Sequence, residues 1–204
     1  AAAVLESFRD RLGEQPEMQS HTAHLLRLQG KMKEAESFLD KAIVLYPNDP
    51  GLLIERGIVA LRSNEFSAAE DYLSRAIRVD PGSLTARYHL IMALNQQGKK
   101  AEAEQQSQKA SQLEADLKKI QELLNTQLQR AQPAASTFFE VAMIAQRSGQ
   151  PREALRWLLS AIQADPNYVP AHRALAVFYR ETGNPILSAR HRALAQKLSA
   201  APNP

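Results

Sequence analysis

The chain has 204 residues, 44% of them hydrophobic and 23% charged, with a formal net charge of +3; this is the balance of an ordinary folded, soluble protein, and no run approaches the ~18 apolar residues of a membrane span. Cysteine is absent, which excludes a disulfide framework, thiol catalysis and Cys-ligated metal, and leaves the compartment open between cytoplasmic and extracytoplasmic. Charge is uneven: from Ala135 onward eight Lys and Arg stand against four Asp and Glu, whereas the residues before it carry 17 against 18, so the C-terminal end is either a solvated coat or a surface for acidic partners.

Ala, Leu, Gln, Glu, Lys and Arg fill most of the chain, a helix-forming composition. The opening Ala1-Ala2-Ala3 fits a removed signal peptide or simple trimming. Val4, Leu5, Phe8 and Leu12 have helical spacing, so residues 1–15 read as a capping helix or half a repeat. Helical hairpins are predicted at Gln19–Tyr46, Leu52–Val79, Leu84–Ala131, Ala135–Ala164 and Val169–Leu198, with no sheet. Between Ala101 and Ala131 there is neither Gly nor Pro, and Leu113, Leu117, Ile120, Leu124 and Leu128 form one apolar stripe. That predicts a single long helix near 101–131, with its stripe buried against a neighbouring repeat in preference to an intermolecular coiled coil, for which it is barely two heptads long.

The hairpins recur. Ala35, Ala69, Ala103, Ala154 and Ser188 each precede a second Ala by seven residues, and the intervals between them are 34, 34, 51 and 34. Five residues ahead of each stands Gly30, Asn64, Gly98, Gly149 or Gly183, the residue types that tolerate the left-handed turn between two helices. Twelve residues after the leading Ala, Pro47, Pro81 and Pro166 stop the second helix. Small residues seven apart allow a neighbouring helix to approach closely, and Leu39, Leu73 and Leu158 fill the space beside them. The 51-residue interval is one period plus 17 inserted residues, which divides the chain into 1–15, three units over 16–117, a helical extension over 118–134, and two units over 135–204 including a C-terminal cap.

The period, the small-residue pairs and the runs Ala-Ile-Arg-Val-Asp-Pro and Ala-Ile-Gln-Ala-Asp-Pro resemble the tetratricopeptide-repeat family. The resemblance implies an all-α, right-handed superhelical solenoid of antiparallel hairpins that binds a peptide or helix of a partner protein in a concave groove lined by first helices. The alternative is an assembly role, by self-association into a homo-oligomer or as a spacer in a larger protein. Carried over slot by slot, the groove would hold Ser20, His21, His24, Ile54, Glu55, Ile58, Tyr88, His89, Met92, Phe139, Glu140, Met143, Arg173 and Val177. The partner-binding residues expected among them are Ile54, Ile58, Tyr88, Met92, Phe139 and Met143, an apolar row with adaptable methionines. The Lys, Asn and Arg with which one subset of the family grips a terminal carboxylate are replaced by Ser20, His24, Glu55, Thr85 and His89, so that mode is disfavoured.

Chemistry-bearing patterns are sparse. His21 and His24 lack a third metal ligand nearby and read as surface histidines. His172 and His191, 19 residues apart, each open the run His-Arg-Ala-Leu; they read as a polar outer coat or, with Arg173 and Arg192, as an anion site. A secondary basic patch of Arg173, Arg180, Arg190 and Arg192 accompanies them. Carboxylates are expected in solvent-facing slots, no glycine-rich phosphate loop or nucleophile constellation is present, and neither metal nor cofactor is expected. Trp157 reads as packed rather than as a base-stacking platform, so nucleic acid is not favoured as a partner. The sequence points to a non-catalytic binding scaffold.

Overall fold

The computed structural model describes residues 15–126 and 133–200, and all regular structure among them is helical. The helices are α1 (Pro16–Leu28), α2 (Met32–Leu45), α3 (Pro50–Arg62), α4 (Phe66–Val79), α5 (Leu84–Gln96), α6 (Lys100–Thr126), α7 (Ala135–Arg147), α8 (Pro151–Ala164), α9 (Val169–Glu181) and α10 (Pro185–Ala200). The expected segment Val4–Leu12 lies outside the described residues. Two compact units, Ala1–Leu113 and Glu114–Pro204, divide within α6.

Local chemistry explains where each helix starts and stops. Pro16, Pro50 and Pro151 open helices at a position where no N–H is needed. Asp49 and Ser83 cap α3 and α5 by accepting from Leu52 N at 2.8 Å and Ala86 N at 3.2 Å. All five turns between paired helices hold a residue at positive φ: Gly30, Asn64, Gly98, Gly149 and Gly183, between 61° and 76°. At two of the second-helix ends an aspartate closes the turn, Asp80 Oδ1 accepting from Gly82 N and Asp165 Oδ1 from Asn167 N.

Packing follows the 34-residue register. Ala35, Ala42, Ala69, Ala76, Ala154 and Ala161 are buried, and Leu39, Leu73 and Leu158 beside them are fully enclosed. Each such leucine contributes roughly 1.5–3 kcal/mol by burial. Leu39 packs with Leu52 and Val59, Leu73 with Leu90 and Ala93, and Leu158 with Ala171 and Leu175. In every case the partners lie on the first helix of the following repeat. Electrostatic ties run the same way. Lys99 Nζ and Gln97 Nε2 donate to Glu70 Oε2 at 2.6 and 2.8 Å, and the hydrogen bond from Lys99 holds the Glu70 carboxyl below its usual range despite its partial burial.

The long helix α6 has 27 residues, a rod of about 40 Å; residues 127–131 of the expected span lie outside the described residues. Its buried face differs from the expected stripe. Leu113, Asp116 and Leu123 are buried, whereas Leu117 is 53% exposed and Leu124 is exposed as well. The reason is Asp116, only 3% exposed, which accepts from Arg147 Nε and Nη2 of α7 at 2.9 and 2.5 Å. This paired carboxylate takes an inward position that a purely apolar stripe would have reserved for leucine. It also corrects the expectation that the carboxylates face solvent.

Candidate functional site

In the Ala1–Leu113 unit the first helices lie side by side, α3 packing against both α1 and α5. Their shared face carries a concavity of about 380 Å³ lined by Arg27, Ile58, Leu61, Arg62, Asn64, Phe66, His89, Met92 and Gln96. Of the expected binding residues, Met92 is 54% exposed at this concavity, and Ile58, 6% exposed, belongs to its floor. Ile54 is half-buried against the core cluster of Leu53, Ala76 and Ala86, and lines a shallower hollow with Ser20, His21, His24, Gly51 and Glu55. Tyr88 is exposed on α5. Phe139 and Met143 belong to the other unit, half-buried against the core cluster of Leu158 and Leu175, with Phe139 edge-on to Tyr168 at 5.7 Å. The six residues therefore divide into an exposed pair (Tyr88 and Met92), the floor of the concavity (Ile58), a half-buried residue of the separate hollow (Ile54), and two packed side chains (Phe139 and Met143).

Polar groups border the unit-one face. Arg27 Nε donates to Glu55 Oε2 at 2.9 Å, while His24 Nδ1 lies 2.9 Å from Glu55 Oε1 and 2.8 Å from Arg27 Nη2. One nitrogen cannot both donate to the carboxylate and accept from the guanidinium, so the tautomer of His24 selects its partner. His24 is thus tied into a polar cluster rather than being a plain surface histidine, while His21 is exposed with Nδ1 2.6 Å from the Glu17 carbonyl. His89 Nδ1 is buried and meets no hydrogen-bond partner among the described residues. Burial, then the Arg27 charge, pushes the His89 pKa down against an opposing pull from Glu55, which favours a neutral ring.

At the C-terminal end, Arg173, Arg180 and Arg192 line a groove of about 510 Å³ between α9 and α10, over Ala176, Val177 and Ala195. Arg190 is exposed on α10 but does not line it. His172 and His191, read from the sequence as an outer coat or anion ligands, are instead buried inside the last hairpin. His172 Nε2 donates to the Pro166 carbonyl at 2.8 Å, and its Nδ1 lies 3.0 Å from His191 Nδ1. The two rings stack at 5.2 Å, and Tyr179 stacks on His191 at 5.6 Å.

The signal for that burial was available in the register. Residues 19 apart recur as Leu53 and Tyr72, Arg87 and Gln106, Phe138 and Trp157, and His172 and His191. Each pair meets across its hairpin: Leu53 and Tyr72 share a core cluster, Arg87 Nη1 donates to Gln106 Oε1 at 2.7 Å, and Phe138 stacks on Trp157 at 6.0 Å. One interior slot pair is filled by apolar, hydrogen-bonded or aromatic partners in turn.

Stacked antiparallel hairpins with positive-φ turns and small-residue contact stripes define a helical-repeat protein. Residues 54–116 match the family model described as tetratricopeptide repeat, so this stretch is tetratricopeptide-repeat sequence. Proteins of this kind are protein-interaction scaffolds and typically non-catalytic. Among solved structures the chain is similar to YrrB, a TPR protein with an unusual peptide-binding site, at 19% identity and a TM-score of 0.49 over 97% of this chain and 93% of that one. It is also similar to MamA from Desulfovibrio magneticus RS-1, at 14% identity and a TM-score of 0.45 over 93% and 97%. A third likeness is to the APC/C hetero-tetramer Cut9-Hcn1, at 16% identity and a TM-score of 0.47 over 97% of this chain and 42% of that one. No curated protein matches the chain. No described helix is long and apolar enough to cross a membrane.

Proposed function

We propose that the chain is a binding scaffold whose Ala1–Leu113 unit holds a peptide or helix of a partner protein on its first-helix face. The observation that carries this reading is the concavity in which exposed Met92 stands over Ile58, Leu61 and Phe66, bordered by Arg27, His89 and Gln96. An apolar side chain of the partner fills the floor, and a thioether adapts to its shape without a fixed rotamer. Arg27 and Gln96 supply donors for backbone carbonyls or a carboxylate of the bound segment. Tyr88, on the exposed side of α5, extends the contact. Phe139 and Met143 are left out because each is engaged in the packing of its own repeats.

The test is selection of peptides from a random display library on the whole chain, followed by affinity measurement on single variants. Met92→Glu places a charge over the apolar floor and should weaken the selected peptides by about tenfold or more, with melting unchanged because the side chain is half exposed. Ile58→Glu is unsuitable, since Ile58 is buried and the variant would unfold the repeat. Peptides that bind Met92→Glu as well as the parent chain would overturn the assignment of this face.

A further inference from the structure

The C-terminal groove occupies a position that is filled in the repeat before it. Shifted by one period of 34 residues, Arg173, Val177, Arg192 and Gln196 correspond to Phe139, Met143, Leu158 and Ile162. Those four are where α9 seats: Leu158 is fully enclosed, with Ala171 and Leu175 of α9 packed against it, and the other three pack around the same cluster. The groove between α9 and α10 is therefore the seat of one more first helix, with its floor kept small and apolar by Ala176 and Ala195 and its large apolar wall residues exchanged for arginine and glutamine.

Removing leucine explains why these slots are tolerated by water. It does not explain the choice of charge. Serine serves that purpose in the third repeat, where Ser107 and Ser111 hold the two slots of Leu158 and Ile162. Here the replacements bring two guanidinium groups, Arg173 and Arg192, to a groove that Arg180 also lines, and among the described residues none of the three pairs with a carboxylate. The contact recorded is Arg173 Nη2 donating to Ser199 Oγ at 3.1 Å, which holds that side chain along the groove wall between α9 and α10. An apolar floor shaped for a helix, walled by cations in place of Phe139 and Leu158 of the preceding repeat, fits an amphipathic helix whose apolar stripe is flanked by carboxylates.

We propose that the groove between α9 and α10 is a second docking seat, in which an acidic amphipathic helix of a partner protein stacks as a sixth first helix. Its residues facing the floor are apolar, four apart as Ala171 and Leu175 are on α9, and its Glu or Asp side chains meet Arg173, Arg180 and Arg192. The seat is independent of the face around Met92, and one molecule can use both.

The experiment uses the whole chain and a fluorescein-labelled synthetic helix carrying Ala and Leu four residues apart with flanking Glu, its affinity read by anisotropy at low and moderate salt. Saturable, salt-sensitive binding is expected. Arg173→Glu combined with Arg192→Glu should weaken it by about tenfold or more. The same peptide with Lys for Glu should bind that reversed variant better than it binds the parent. Both arginines are exposed, and circular dichroism shows whether helix content is kept; if the double variant is disordered, Arg180→Glu alone is read by the same criteria. Met92→Glu should leave this peptide's affinity unchanged, so failure here and failure of the unit-one face are told apart. Absence of binding, or binding indifferent to the charge reversals, would overturn the proposal. So would an oligothymidylate that binds as tightly as the peptide and is lost in the same variants, because the groove would then be a general polyanion surface.

Discussion

The space around Gly57 is already taken by Leu73: a Cβ built on Gly57 would lie 2.6 Å from Leu73 Cγ. Gly57→Ala gains helix propensity of about 1 kcal/mol and incurs overpacking of about 1–3 kcal/mol. The expected result is a lower melting temperature, and combining it with Leu73→Ala, which alone costs about 2–5 kcal/mol, should lose less than the sum of the two. The His172–His191 pair makes a pH prediction. Burial, then the neighbouring His172 and Arg190, lowers the His191 pKa below its ordinary value. The unfolded chain thus takes up the extra proton more readily. His191 contributes stability that is complete above its unfolded pKa of about 6.5 and is lost as pH falls through its folded value. Amide exchange in α10 should therefore speed up between about pH 7 and about pH 5 beyond the intrinsic pH effect. His191→Gln, which places the residue found at Gln106 in the third repeat, should remove that extra dependence.

Among the elements, α6 is the informative one. Its lack of Gly and Pro made a continuous helix legible in the sequence, but the face it buries was not, because Asp116 breaks the apolar pattern and its partner Arg147 lies 31 residues away. The hydrogen bond to Asp116 raises the Arg147 pKa further above its usual value. Arg147→Met removes two charge-assisted bonds from a buried carboxylate and should cost about 1–3 kcal/mol, read by chemical denaturation and by faster exchange in α7. Ala115→Pro, at an exposed position on the same helix, removes a backbone donor and clashes with the preceding turn. It should cost about 3 kcal/mol, which a circular-dichroism melt would register.

Across the whole chain, the slot four residues after each leading small residue reads Leu39, Leu73, Ser107, Leu158 and Arg192, and each of the three leucines is covered by the first helix of the following repeat. Restoring the repeat pattern at the end, with Arg192→Leu and Gln196→Ile, would present an uncharged apolar seat to water. Sedimentation velocity should then show association that rises with concentration and is absent from the parent chain under the same conditions. A sedimentation profile identical to the parent's would mean that the end of the stack does not have the shape of a seat.

Periodicity alone determined the hairpins, their turns and the long helix, because these depend on local requirements: a positive-φ residue at a turn, proline at a stop, and small residues where helix axes approach. It also marked the first-helix face, since the slots repeat. What each slot residue does was decided by packing. Ile58 and Met92 occupy equivalent slots 34 residues apart, yet one is enclosed and the other half open, because the space outside each helix depends on its neighbours and not on its own residues. The same holds for His172 and His191, polar in sequence and buried in the fold, and for Asp116, whose partner comes from another helix. The register aligns residues 19 apart across a hairpin, but Asp116 and Arg147 lie outside it, so their pairing is a property of the tertiary structure.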